Sequence, residues 1–190
     1  MKERGLTLVE VLVAMGLAAV VGTLLLSVMI NSAGLFYKES SKLQEGLNIN
    51  DTLAKVRQSI KQSSGVSATY TSSGTTYTSS STQIVLKIPA IDALGNIISS
   101  TFDYLVFFQD STKLRYKLFP DAQSSRKSQD QIFSTSVDSL TFKYLDSQNP
   151  PNEVVPGSAT KVRIILSLKQ KNGQAIELNT ATSEVSLRND

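Results

Sequence analysis

Met1-Lys2-Glu3-Arg4-Gly5-Leu6-Thr7-Leu8-Val9-Glu10 opens the chain, and VLVAMGLAAVVGTLLLSVMI follows from Val11 to Ile30. An α-helix needs about 20 mostly apolar residues to cross a hydrocarbon core about 30 Å thick. The second stretch has that length and no charged residue, so it predicts a membrane-spanning helix. Lys2 and Arg4 stand just before it, and the next basic residue is Lys38. Positive charge on one flank of a span holds that flank in the cytoplasm, which sends the remainder outward. A cleaved secretory signal begins in the same way. Its nearest small-residue cleavage site here, Asn31-Ser32-Ala33, starts with a poor residue, and the apolar run is long for a signal. A plain uncleaved anchor is the other simple reading.

Glu10 fits neither. A carboxylate within a membrane segment costs about 2.5–3.5 kcal/mol on insertion scales and marks a functional group in need of a partner. A cut after Gly5 would expose a cationic amine on Leu6, one helical turn from Glu10. The amine of one subunit would then pair with Glu10 of its neighbour and set the axial register of an assembly. In lipid or in a filament core such a pair is screened far less than one on the surface.

Arg4-Gly5-Leu6-Thr7-Leu8-Val9-Glu10-Val11-Leu12 closely resembles the class III signal of type IV prepilins and type II secretion pseudopilins. The resemblance implies that prepilin peptidase cuts after Gly5 and methylates Leu6, and that Glu10 is the assembly glutamate. Leu6 departs from the family's usual phenylalanine but stays apolar. Two further stretches are similar to PilW-type minor pilins and J-type pseudopilins: the strand Val137-Asp138-Ser139-Leu140-Thr141-Phe142-Lys143-Tyr144-Leu145-Asp146 and the ending Val185-Ser186-Leu187-Arg188-Asn189. The implied role is a minor subunit that helps initiate or cap a pilus or secretion pseudopilus. Its partners would be prepilin peptidase, other minor and major pilins or pseudopilins, and the membrane through residues 6–30. It would begin as a single-pass protein of the cytoplasmic membrane with a short cytoplasmic N-terminus, and end in a cell-surface or periplasmic filament.

Composition narrows the chemistry. The chain has 190 residues, with no Cys, His or Trp. Disulfides, thiol nucleophiles and Cys or His metal ligands are excluded, and so are triads built on histidine, the commonest general acid or base. No Gly-rich phosphate loop is present. The sequence therefore predicts no enzyme and no cofactor site. Net charge is +3 and the isoelectric point about 9.1; removal of residues 1–5 takes away Lys2, Glu3 and Arg4 and lowers the side-chain charge by one.

Beyond the span, apolar residues recur at Leu43, Leu47, Leu53, Val56 and Ile60, with Lys42, Glu45, Asp51, Lys55, Arg57 and Lys61 on the other side. That spacing predicts an amphipathic helix with one buried face, stopped by Ser63-Ser64-Gly65. Together with the span this makes one long helix over about residues 7–63, with Asn31-Ser32-Ala33-Gly34 as the place for a kink. Gly16 and Gly22 cost helix stability, each about 0.8–1.0 kcal/mol relative to Ala. Ala18 and Gly22 form a small-xxx-small pair that permits close helix packing.

The remainder reads as strands. Residues 67–82, dominated by Ser and Thr with Tyr70 and Tyr77, form a surface loop or weak hairpin. Gln83 to Ile88 is a strand ended by Pro89, and Asp92-Ala93-Leu94-Gly95-Asn96 is a turn. Thr101 to Gln109 leads through Asp110-Ser111-Thr112 into Lys113 to Phe119. In that strand and in Val137 to Leu145, apolar and polar residues alternate as in a half-buried antiparallel strand. Pro120 to Gln129 is a polar loop. Thr160 to Lys169 and Ala175 to Leu187 are the last strands, turned at Lys171-Asn172-Gly173. The expectation is an α+β fold: a long N-terminal helix, half membrane and half amphipathic, laid on an antiparallel sheet. Its segments are 1–5 leader, 6–34 membrane or filament-core helix, 35–64 amphipathic helix, and 65–190 head.

Two further sites are weighed. Asp138, Asp146 and Glu153 are oxygen ligands of the kind calcium prefers, but their spacing is irregular and solvated carboxylates explain them. Lys113, Arg115 and Lys117, with Arg126 and Lys127, offer a patch for DNA phosphates or another anion. This supports the alternative of a filament-displayed or anchored binding module, an adhesin or a DNA receptor for competence. The aromatic residues Tyr104, Phe107, Phe108, Tyr116, Phe119, Phe142 and Tyr144 read as sheet core.

Overall fold

The structure, a computed structural model, describes residues 7–172 and 175–188, with side chains omitted at 34–48, 170–172 and 175. The chain divides into two compact units, Met1–Gln44 and Glu45–Asp190. Helix α1 spans Leu8–Gln62. Residues 31–34 are helical, so the secondary structure is not interrupted where a kink was expected.

The second unit is built from the last turns of α1 and ten strands: β1 (Gly65–Ser67), β2 (Thr69–Ser72), β3 (Thr75–Thr78), β4 (Gln83–Ile91), β5 (Ile97–Asp110), β6 (Lys113–Phe119), β7 (Gln129–Ser134), β8 (Val137–Leu145), β9 (Lys161–Asn172) and β10 (Ala175–Ser186). The fold is α+β and pilin-like, with every strand pairing antiparallel. The single sheet expected from the sequence is instead a five-stranded sheet in the order β1-β4-β5-β6-β7, a three-stranded sheet β10-β9-β8 and the hairpin β2-β3. β4 also continues past Pro89 to Ile91, at the cost of a register shift against β5. Proline lacks a ladder donor and is tolerated where pairing is irregular. β7 carries no alternation and was not expected. Gly173, the last residue of the predicted β9–β10 turn, lies outside the described residues.

One core joins the helix to both large sheets. Ile49, Leu53, Val56 and Ile60 recur at helical spacing and are buried with Ile84, Leu86, Leu105, Phe107, Leu114 and Leu118 of the first sheet. Leu140, Phe142, Val162, Ile164, Leu166, Leu168, Val185 and Leu187 come from the β8–β10 side. Each strand sends alternate residues inward because its side chains have period two. The side chains of Leu43 and Leu47, the first members of the expected stripe, lie outside the described residues. The Ser63 hydroxyl donates to Ile60 O at 2.6 Å and closes the helix end, while Arg188 N–H donates to Ser63 O at 3.2 Å. The C-terminal strand is thus tied to the end of the helix.

The Ser/Thr-rich segment is more than a surface loop. β2 and β3 lie against the outer face of the first sheet through two tyrosines. Tyr70 stacks on Tyr104 with ring centroids 4.1 Å apart and meets Phe119 at 5.3 Å. Tyr77 meets Phe119 at 5.3 Å and Phe108 at 6.3 Å. Val85 and Val106 are fully buried there, outside the main core. Phe107 and Phe142 belong to the main core as expected, but Tyr104, Phe108 and Phe119 belong to this second, outer aromatic layer.

Candidate functional site

The first site is the start of α1. Leu8–Ala33 is a helical segment of 26 residues with mean hydropathy 2.5, long and apolar enough to cross a membrane. Its large apolar side chains stand in the open, from Leu8 at 80% to Ile30 at 68% exposed. An added Cβ at Gly16 or Gly22 would meet nothing within 4 Å. Among the described residues these glycines pack against nothing; the space they leave is available to neighbouring helices.

Gly5 and Leu6, the predicted cleavage and methylation positions, lie outside the described residues. The structure places Glu10 in the first helical turn. Its Oε2 accepts from the Thr7 backbone N–H at 2.9 Å and from the Thr7 hydroxyl at 3.0 Å, and Thr7 Oγ1 accepts from the Glu10 N–H at 3.3 Å. This is a capping box, in which a Thr and a Glu three residues on satisfy each other's orphan amide groups. Sequence reasoning missed the role of Thr7, although the Thr-x-x-Glu spacing ahead of an apolar run is its signature.

The predicted anion patch lies on β6. Arg115 and Lys117 are on its outer face, each engaged by carboxylates. Arg115 donates to Asp130 at 2.9 Å and to Asp110 at 3.2 Å, and Lys117 lies 3.5 Å from Asp130. Lys117 also sits 5.9 Å from the ring centroids of both Tyr77 and Phe108. The hydrogen bonds that Arg115 donates to Asp130 and Asp110 push its pKa up. At Asp130 partial burial acts upward, but Arg115 and Lys117 prevail and hold the carboxyl below its ordinary value. Lys113 is opposite Asp110 in the β5–β6 register. Arg126 is separate from this group: it pairs with Asp103 and donates to Pro89 O at 2.6 Å.

Asp103 is the buried charge that sequence reasoning passed over. It is 0% exposed within an aromatic strand, and it accepts from Asp121 N–H and the Ser124 hydroxyl, each at 2.9 Å, as well as from Arg126. A buried carboxylate persists only when paired and hydrogen-bonded, and these donors fold the 121–126 loop over the sheet. The three weighed calcium ligands are each engaged by other partners. Asp138 pairs with Lys169, Glu153 with Lys143, and Asp146 accepts from Asn152 N–H at 2.9 Å and Gln148 N–H at 3.1 Å. Among the described residues no three acidic groups gather as a metal site.

The arrangement thus holds a helix suited to membrane and helix–helix contacts, and a head in which Arg115, Lys117, Arg126, Lys143, Arg163 and Lys169 pair with carboxylates. No curated protein matches the chain. The profile of the prokaryotic N-terminal methylation motif matches residues 1–26, the same stretch that carries the leader charges, Gly5, Glu10 and most of the apolar run. That motif implies processing by prepilin peptidase and assembly with other pilins, and the exposed apolar helix fits a single-pass anchor. The chain therefore carries the prokaryotic N-terminal methylation motif at the head of a pilin-like α+β fold, as a type IV pilin-like or pseudopilin-like precursor.

Proposed function

We propose that the chain is a minor type IV pilin or pseudopilin, cut after Gly5, N-methylated at Leu6, and used to initiate or cap a pilus or secretion pseudopilus. The observation that carries this reading is the N-terminal segment itself. A methylation motif leads into a helix whose apolar surface, including Gly16 and Gly22, stands exposed among the described residues. A helix of that kind gains its packing from lipid first and from neighbouring subunits later. The Leu6 amine of one subunit would meet Glu10 of the next and set the register.

The minor role draws support from the C-terminus. Val185 and Leu187 are buried in the core and Arg188 is tied to Ser63, so the Val-Ser-Leu-Arg ending shared with minor subunits performs a structural task here. The alternative, a DNA-binding or adhesive module, has less support, because Arg115 and Lys117 already face Asp130. DNA affinity rests on freely available positive charge.

Intact mass and N-terminal sequence of the protein from its native membrane test the processing. A chain beginning with N-methylated Leu6 is expected; one beginning at Met1 would reduce it to an ordinary anchor. Deletion of the chain is expected to abolish or sharply reduce filament number while leaving major-subunit levels unchanged. Normal filament number would remove the initiating role.

A further inference from the structure

The outer edge of β8 is bracketed by two other stretches of the chain. On one side Phe142 N–H donates to Ser81 O at 2.7 Å. On the other, Val154 N–H donates to Tyr144 O at 2.9 Å and Asp146 N–H to Asn152 O at 3.1 Å, a short antiparallel bridge that sets Leu145 opposite Glu153. A residue in an antiparallel strand turns its N–H and C=O to the same side. The Phe142 carbonyl and the Tyr144 N–H therefore face outward, between the two brackets. In the register of the bridge, the donor opposite Phe142 would be residue 156. That residue is Pro156, which has no amide proton, and the chain turns there into the 3-10 helix Pro156–Ser158. Among the described residues no bond reaches Phe142 O or leaves Tyr144 N–H on this side.

An open cleft of about 370 Å3 lies over the gap. Phe142 and Tyr144 are buried on one face of β8, and Thr141 and Lys143 are half-buried on the other. A cleft lined by all four stands at the edge of the strand, where the backbone is presented. One wall is residues 79–81, all serine, and the other holds Glu153, Val154 and Pro156. The serine wall is anchored. The Tyr144 hydroxyl lies 2.8 Å from Ser80 O, and the Ser79 hydroxyl donates to Ser67 O at 2.6 Å and accepts from Val85 N–H at 3.0 Å. The hydroxyls of Ser81 and Thr141 have no partner among the described residues. Lys143 and Glu153 pair with each other.

These groups discriminate between classes of ligand. A strand running along the edge finds no room, because Ser81 and Val154 already hold the positions before and after the gap. An anion would face Glu153 and the Phe142 carbonyl, and a cation would face Lys143. An apolar group would leave a carbonyl, an N–H and two hydroxyls without partners, which buried polar groups avoid. A hydroxyl donates and accepts at once, so a neutral ring bearing several of them meets every polar group here. Val154 and Pro156 offer apolar surface to its C–H face, and the volume falls within the range of small-molecule sites.

We infer that this cleft binds a neutral saccharide, one hexose-sized unit whose hydroxyls donate to Phe142 O and accept from Tyr144 N–H. The site is separate from the N-terminal helix and does not rest on the proposed function, which is tested by the mass of the processed chain.

Amide NMR of the full-length protein, held in a detergent without a sugar headgroup, reads the site directly. Glucose, galactose, mannose and N-acetylglucosamine are titrated in turn. At least one is expected to give saturable shifts at the amides of Ser81, Phe142, Lys143 and Tyr144. Thr141→Val removes a lining hydroxyl from the outer face of β8 and should weaken that binding about tenfold. Pro156→Ala supplies the missing donor opposite Phe142 O and should weaken it at least as much, in a head whose other amide shifts are retained. No saturable shift with any of the four sugars would overturn the inference. So would unchanged affinity in Thr141→Val, or the same shifts on addition of inorganic phosphate or triglycine. The threonine variant decides even where Pro156→Ala fails to fold.

Discussion

Thr7 and Glu10 are bonded to each other at the first turn of the membrane helix, with the carboxylate accepting both the backbone N–H and the hydroxyl of Thr7 at 2.9 and 3.0 Å. The glutamate proposed above to set the register of assembly is thus already partnered within a single chain. Any inter-subunit pair with the Leu6 amine must share this carboxylate with the cap. The two tasks make different demands: the cap needs an acceptor at that position, whereas register needs a charge.

Substitutions separate them. Glu10→Gln keeps the acceptor of a capping box and removes the charge, while Glu10→Ala removes both. Both variants are expected to insert into the membrane at normal levels and to enter filaments at least tenfold less than the parent chain. Thr7→Val should cost about 1 kcal/mol of helix-start stability and leave incorporation largely intact. Quantitative immunoblots of sheared filaments against membranes decide; wild-type incorporation of Glu10→Gln would remove the charge from the assembly mechanism.

Asp103 is fully buried and receives two hydrogen-bond donors at 2.9 Å besides Arg126. Breaking a buried ion pair by deleting one partner leaves the other uncompensated and costs about 3–5 kcal/mol. Arg126 keeps some contact with solvent, so Asp103→Ala should fall near the low end, about 3 kcal/mol. Chemical denaturation of the parent and the variant measures it. A loss under about 1 kcal/mol would mean that the 121–126 loop does not depend on this carboxylate.

The hairpin β2-β3 is held by rings. Tyr70 stacks on Tyr104 at 4.1 Å, and Tyr77 meets Phe119 at 5.3 Å. An aromatic pair contributes about 0.5–1.5 kcal/mol beyond burial. Tyr70→Ala is expected to raise hydrogen exchange across residues 69–78 and at the newly uncovered outer face of β5, with the β8–β10 amides unchanged. Uniform deprotection of the whole head would show that the hairpin is not a separable layer.

Stability should respond to acid and be indifferent to neutral pH. Asp92 is held below its ordinary pKa by hydrogen bonds from Asn96, and Asp146 by the Asn152 N–H first of all. At Asp130 partial burial opposes the shift and the neighbouring cations prevail. A depressed carboxylate adds stability that is present above its unfolded value of about 3.9. That stability is lost as pH falls through the lower folded value. No histidine is present to titrate between. The melting temperature is therefore expected to stay level from about pH 8 to 6 and to fall below about pH 4. Asp146→Asn should shallow the acid limb. A steep decline between pH 8 and 6 would point to a group outside this set.

Much of the fold was legible because it rests on local periodicity. Val11–Ile30 is uncharged throughout and mostly apolar, Leu53, Val56 and Ile60 repeat at helical spacing, and Leu140, Phe142 and Tyr144 alternate at strand spacing. Each pattern states which face is buried without reference to any distant residue. β7 was not legible, since Gln129-Asp130-Gln131 shows no alternation. It is a strand because β6 lies beside it and Asp130 meets Arg115 and Lys117. Pro89 misled for the same reason in reverse: the pairing around it, not the residue, decided where β4 ended.

The N-terminal motif was readable for a related reason. Leader charge, Gly5, Glu10 and the apolar run act through their order along one chain, so the sequence alone determined the membrane helix and its processing signature. Only the tertiary structure decided that the strands divide into two sheets over one core, because sheet membership depends on which edges meet. It decided equally that the Ser/Thr-rich segment becomes an aromatic-backed layer, that Arg115 and Lys117 are spoken for by Asp130, and that Asp103 is buried. Those outcomes are set by contacts between residues far apart in sequence, and the energy of a charge or a ring is fixed by what folding places beside it.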